Sequence, residues 1–173
     1  MLSRILPATV ILSMTLTVSL LGAAETSLIS GVSVFKNEWI ESATKSIVEG
    51  PGQDAKALRI ELATKPKDEW QAQTWTRALA GGVETGDTVV ITFQARSIEP
   101  ATGHIKVTLG LAEAPYTPVV SKKVVLTSDW QTYEVKEVVS QGQAVETLRF
   151  GFTFGDQAQT FELADLAVVN QGK

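Results

Sequence analysis

From Leu148 to Phe154 every second residue is large and apolar: Leu148, Phe150, Phe152 and Phe154, with Arg149, Gly151 and Thr153 between them. Successive strand side chains leave opposite faces, so this run buries one face and leaves the other polar. The same alternation recurs upstream. In Thr88 to Arg96, the residues Val89, Ile91, Phe93 and Ala95 share one face, and Val90, Thr92, Gln94 and Arg96 share the other. In His104 to Leu111, Ile105, Val107, Leu109 and Leu111 point inward. Ala57 to Leu62, Val119 to Leu126, Gln131 to Val139 and Thr160 to Val169 read as further strands. Turn residues separate them: Gly50-Pro51-Gly52, Lys65-Pro66-Lys67-Asp68, Gly81-Gly82, Gly86-Asp87, Glu99-Pro100-Ala101-Thr102-Gly103 and Thr127-Ser128-Asp129-Trp130. Short strands at this spacing predict an all-β sandwich or barrel. Only Glu38 to Val48 suggests a short helix, and Thr44, Ser46 and Ile47 weaken it.

Residues 1–24 stand apart. Arg4 is the only charge before Glu25, Ile5 to Leu21 is an apolar run, and Gly22-Ala23-Ala24 supplies small residues. That order predicts a cleaved signal peptide and a secreted or periplasmic protein, with no membrane attachment after cleavage. The run is short for a spanning helix, which takes about 20 apolar residues. Residues 25–173 are then expected to form one domain. The chain carries 19 acids against 15 bases, a formal net charge of −4, with no basic cluster. Such a balance argues against nucleic acid as a partner. There is no cysteine, so no disulfide supports the fold, and a single histidine argues against a zinc or copper site.

Five segments in order carry a resemblance. They are Trp70-Gln71-Ala72-Gln73, Gly86-Asp87 through Phe93-Gln94-Ala95-Arg96, Leu126 through Trp130-Gln131-Thr132-Tyr133, Leu148 through Phe152, and Phe161 through Val168. From about Ala55 to Val169 the chain resembles the jelly-roll carbohydrate-binding modules attached to xylanases, within the galactose-binding-like sandwiches. The resemblance implies an all-β, two-sheet antiparallel jelly roll whose concave polar face binds a polysaccharide, and a structural calcium away from that face. Asp165 lies in the last strand, where such proteins often place a calcium-binding acid. The chain lacks the Gly-Phe-Glu opening of these modules at Leu28 to Phe35, a segment that often supplies a calcium ligand.

Sugar recognition needs flat aromatic faces and hydrogen-bonding groups around them. Gln71, Gln73, Trp75 and Arg77 share one parity, and Ala72, Thr74, Thr76 and Ala78 the other. Candidate binding residues are therefore Gln73, Trp75 and Arg77, extended by the polar parity of other strands to Gln94, Arg96 and Arg149. Tyr116 joins them from a rigid loop between Pro115 and Pro118. Against this, half-exposed sheets always carry a polar face, and Arg96 and Arg149 are equally placed to pair with neighbouring carboxylates. Trp70 and Trp130 each open a strand and are expected to pack structurally, as is Trp39.

Catalysis finds no support. Glycoside hydrolysis takes two carboxylates about 5–10 Å apart across a cleft; acids are present, but none stands out beside the aromatic face. No G-x-S-x-G, H-E-x-x-H or phosphate loop is present. The expected function is a non-catalytic domain binding xylan or another β-glycan, gaining avidity from a glycoside hydrolase acting in trans. A structural or protein-interaction sandwich is the alternative. A small lyase or hydrolase recruiting Tyr116, Lys106 and Arg149 is a third reading.

Overall fold

The computed structural model describes residues 25–35, 42–52 and 55–173. Two antiparallel sheets pack face to face. One contains β1 (Thr26–Ser30), β2 (Thr44–Glu49), β3 (Lys56–Leu62), β5 (Thr88–Glu99), β8 (Gln131–Val138) and β10 (Gln159–Asn170). The other contains β4 (Gln73–Thr76), β6 (Gly103–Leu111), β7 (Pro118–Leu126) and β9 (Leu148–Thr153). Strand order is β2-β3-β10-β5-β8 in the six-stranded sheet, with β1 also paired to β10, and β4-β9-β6-β7 in the four-stranded sheet. Neighbours in space are mostly distant in sequence, as a jelly roll requires.

The alternation of the sequence becomes the core. Phe150 and Phe152 on β9 and Phe93 on β5 are all but fully buried. The Phe93 and Phe152 rings meet edge to face at 5.4 Å and so join the two sheets. Phe35, from the 3₁₀ turn Val32–Phe35, caps the same cluster 5.7 Å from Phe152. Each fully buried side chain of this size contributes about 1.5–3 kcal/mol of transfer free energy. The buried Gln159 adds a polar tie: its Nε2 donates to the carbonyls of His104 (2.7 Å) and Phe154 (2.8 Å), and its Oε1 accepts from the His104 N–H (2.9 Å).

Two sequence expectations need revision, and one strand is new. The segment suggested as a helix runs into β2 instead, paired with β3 from Thr44–Glu61 to Glu49–Lys56; its first residues, 38–41, lie outside the described ones. The β-branched Thr44, Ile47 and Val48 fit a pleated ladder better than a helix. Trp70 does not start a strand; it sits in the 3₁₀ turn Glu69–Gln71, closed by the Gln71 side-chain oxygen accepting from the Asp68 N–H at 3.1 Å. β1, not anticipated, pairs with the end of β10. Residues 1–24 and Trp39 lie outside the described residues.

Candidate functional site

The outer face of the four-stranded sheet carries the strongest concentration of chemistry. β4 is an edge strand whose parity is resolved by burial. Thr74 and Thr76 are fully buried, while Gln73 and Trp75 face outward, half-buried. Trp75 pairs in register with Gly151 on β9. A Cβ at residue 151 would lie 2.2 Å from the Thr74 carbonyl oxygen and 2.7 Å from the Trp75 Cβ. Glycine is thus required for the large indole and its strand to lie this close.

Arg149 is two residues before Gly151 on the same face. Its Cζ lies 5.6 Å from the Trp75 ring centroid and 5.2 Å from that of Tyr116, so the guanidinium contacts two aromatic rings. Arg77 approaches Trp75 at 6.0 Å and pairs loosely with Glu113 at 3.7 Å. Burial holds the Arg149 pKa below its ordinary value; the Tyr116 phenol opposes this and the Arg77 charge adds to it.

Tyr116 comes from the loop between β6 and β7. Its N–H donates to the Glu113 carbonyl at 2.8 Å, and its backbone sits at φ +57°. A non-glycine residue in this region costs of order 1–2 kcal/mol. The ring it displays is nevertheless 56% exposed. Trp70, 60% exposed, is a second displayed ring. Together Trp70, Gln73, Trp75, Tyr116 and Arg149 line two contiguous hollows of about 230 and 640 Å³. Lys106 and Thr108 on β6 extend the smaller one, and Arg77 borders the larger.

Five of the residues singled out from sequence, Gln73, Trp75, Arg77, Tyr116 and Arg149, therefore meet in one groove. Gln94 and Arg96 do not. They sit on β5, whose partners are β10 and β8, so their polar parity faces outward from the opposite sheet. Arg96 Nε donates to Glu162 Oε2 at 2.7 Å and its guanidinium stacks on Trp130 at 5.0 Å. Gln94 Nε2 donates to Asp165 Oδ2 at 2.9 Å. The missed residue is Trp70, expected to be structural. Its flanks, Lys67-Asp68-Glu69, have no apolar alternation, which marks a turn but not the direction of the ring it carries.

Asp165 is exposed, at φ +48°, where the β10 register shifts between Ala164 and Ala167. Calcium takes six to eight oxygens, usually several from carboxylates. Among the described residues no group of three acidic or histidine side chains is arranged so that it could hold a metal ion. Glu162, the acid nearest in sequence, has both oxygens engaged by Arg59 and Arg96. The side chains around Asp165 do not fit the expected ion.

No protein-family model matches this sequence, and no curated protein matches it either. Solved structures do. A structure described as "CBM4 structure and function" shares 25% identity, with a TM-score of 0.58, over 76% of this chain and 79% of that one. The CBM22-1 xylan-binding domain from Paenibacillus barcinonensis Xyn10C is similar over 87% of this chain and 97% of its own, at 12% identity and TM-score 0.59. The N-terminal cellulose-binding domain from Cellulomonas fimi β-1,4-glucanase C aligns over 83% and 95%, at 16% identity and TM-score 0.59. In its sheets, its strand pairing and these likenesses, the chain has the two-sheet jelly-roll fold of carbohydrate-binding modules.

Proposed function

We propose that this chain is an exported, non-catalytic glycan-binding domain whose binding surface is the groove on the outer face of the four-stranded sheet. The observation that carries the reading is the convergence of Trp70, Trp75 and Tyr116 with Gln73 and Arg149 on one side of the sandwich. Aromatic faces pack on the apolar side of a pyranose while amide and guanidinium donors fix its hydroxyls. Trp75 is half-buried in its strand while Trp70 and Tyr116 stand exposed, so these two rings take the stacking role, Tyr116 with the part of its ring that Arg149 leaves open, and Gln73 takes hydroxyls. Xylan or a related β-glycan is the ligand class, in keeping with the xylan- and cellulose-binding names of the fold neighbours.

No Asp or Glu is among the residues lining either hollow, which supports binding without hydrolysis. An open groove gives modest affinity, because solvent competes for every hydroxyl contact. Avidity then comes from a partner, and a glycoside hydrolase in trans is the proposed one. Export is supported by the sequence of residues 1–24.

Affinity electrophoresis in gels containing xylan, β-glucan, mannan or no polysaccharide tests the reading. Retardation by one glycan that weakens in Trp70→Ala and Tyr116→Ala, with circular dichroism unchanged, is the expected result. Retardation that survives both substitutions moves the site elsewhere. With no retardation by any glycan, the chain is a structural or protein-interaction sandwich.

A further inference from the structure

The groove is cationic in an acidic protein. Arg149 makes no hydrogen bond and no ion pair among the described residues, although both neighbouring rings shield it from water. Its strand neighbours explain this. Gly110 is its register partner on β6, and on the other side β4 runs from the Thr76–Phe150 pair directly into Arg77. A second cation thus stands where a carboxylate would neutralise the first. Glu113 offsets Arg77 only weakly, across 3.7 Å between side chains 47% and 83% exposed. Lys106, half-buried on β6, likewise has no hydrogen-bond or ion-pair partner among the described residues, and it lines the same groove. It pairs in register with Thr153, four residues along β9 from Arg149, which places the backbone positions of the two residues about 13 Å apart along the strand direction.

Unpaired, partly desolvated guanidinium groups are costly to hold and strong donors once an anion arrives. The planar fork of an arginine matches a carboxylate bidentately. Cations spaced along the groove suit an extended chain bearing carboxylates at intervals, not a single small anion. We propose that the groove selects acidic polysaccharides, chains carrying uronic-acid carboxylates, over their neutral counterparts. This rests on the glycan-binding reading above and names its ligand class: Arg149 grips one sugar carboxylate while held between Trp75 and Tyr116, and Lys106 meets another further along the chain. The phenol and the indole keep the guanidinium plane fixed, so little side-chain entropy is lost when the anion binds.

The test is isothermal titration calorimetry of the purified protein with glucuronoxylan and polygalacturonate, each as the free acid and as the methyl ester on the same backbone. Binding of at least one free acid, weakened about tenfold or more by esterification, is expected. The same loss is expected in Arg149→Gln, a smaller one in Lys106→Gln, and the acid-form affinity falls as salt is raised. Equal binding of acid and ester, or binding of neutral glycans alone, overturns this inference and leaves the glycan-binding reading standing. Acid binding that survives both substitutions overturns it too, as does tighter binding of dextran sulfate than of either uronate, which would assign the groove to sulfate. No binding of any glycan by a folded protein overturns both readings.

Discussion

Each sheet carries an arginine on its outer face, stacked on an aromatic ring, and the two differ in one respect. On the six-stranded sheet Arg96 lies over Trp130 and also grips Glu162, a carboxylate with no exposed surface. Glu162 is the register partner of Arg59 on one side and Arg96 on the other, so two cations share one acid, with Arg59 Nε donating at 2.9 Å. On the four-stranded sheet Arg149 lies over Trp75 and Tyr116, and its flanking strands offer Gly110 and Arg77. Stacking alone therefore does not say what a surface arginine is for. The residue on the neighbouring strand decides whether its donors are used within the fold or left for a ligand.

The largest effect separating the two regions is expected in Glu162→Ala. It strands Arg59 and Arg96 without their acceptor and costs about 2–3 kcal/mol, below the usual figure for a fully buried pair because both guanidinium groups are a third exposed. Urea unfolding measures it, and glycan binding under folding conditions stays unchanged. A loss under 1 kcal/mol would show that the Glu162 pairs resemble ordinary surface bridges and would blur the contrast.

Arg149→Gln is expected to do the reverse. Stability moves by no more than about 0.5 kcal/mol, because an unpaired cation contributes little to the fold. Binding falls about tenfold or more, by calorimetry. A large stability loss with binding intact would make Arg149 a structural residue like Arg96.

Arg77→Glu sharpens the comparison by installing the missing acid beside Arg149. It copies the Glu162 arrangement and is expected to raise stability by about 0.3–0.5 kcal/mol. It also abolishes preference for acidic over esterified glycan in the paired titration. An unchanged preference would show that position 77 does not reach the bound chain.

The smallest effect concerns Asp165. Adding millimolar calcium is expected to leave the melting temperature unmoved, because one carboxylate with an amide partner does not form a calcium shell. A rise that disappears in Asp165→Asn would return the ion to the six-stranded sheet.

Much of this molecule was legible in the sequence. Val89, Ile91 and Phe93, or Phe150 and Phe152, announce buried parity because a strand has a fixed period of two, and an inter-sheet core must take the apolar set. Strands β3 and β5 to β10 follow from that period, and the resemblance in residue order extended it to a jelly roll. β2 was hidden because its six residues, Thr44–Glu49, have an exposure pattern with no clean alternation; it is held by its ladder to β3 and not by a buried face. Trp70 was hidden because a turn residue has no parity to betray whether its ring is packed or displayed.

Within each strand, then, the sequence determined which face is polar, since that depends only on local backbone geometry and side-chain type. It also determined that Gln73, Trp75 and Arg149 lie on polar faces of their strands. Which polar faces belong to the same sheet is a matter of pairing between strands as distant in sequence as Thr26 and Asn170, and only the tertiary structure decided it. By pairing β5 with β10, it brought Arg96 to Glu162 and removed both Gln94 and Arg96 from the groove. By pairing β4 and β6 with β9, it set Arg149 between a glycine and another arginine. The charge on Arg149 is written in the sequence; the absence of an acid beside it follows from distant strands laid side by side.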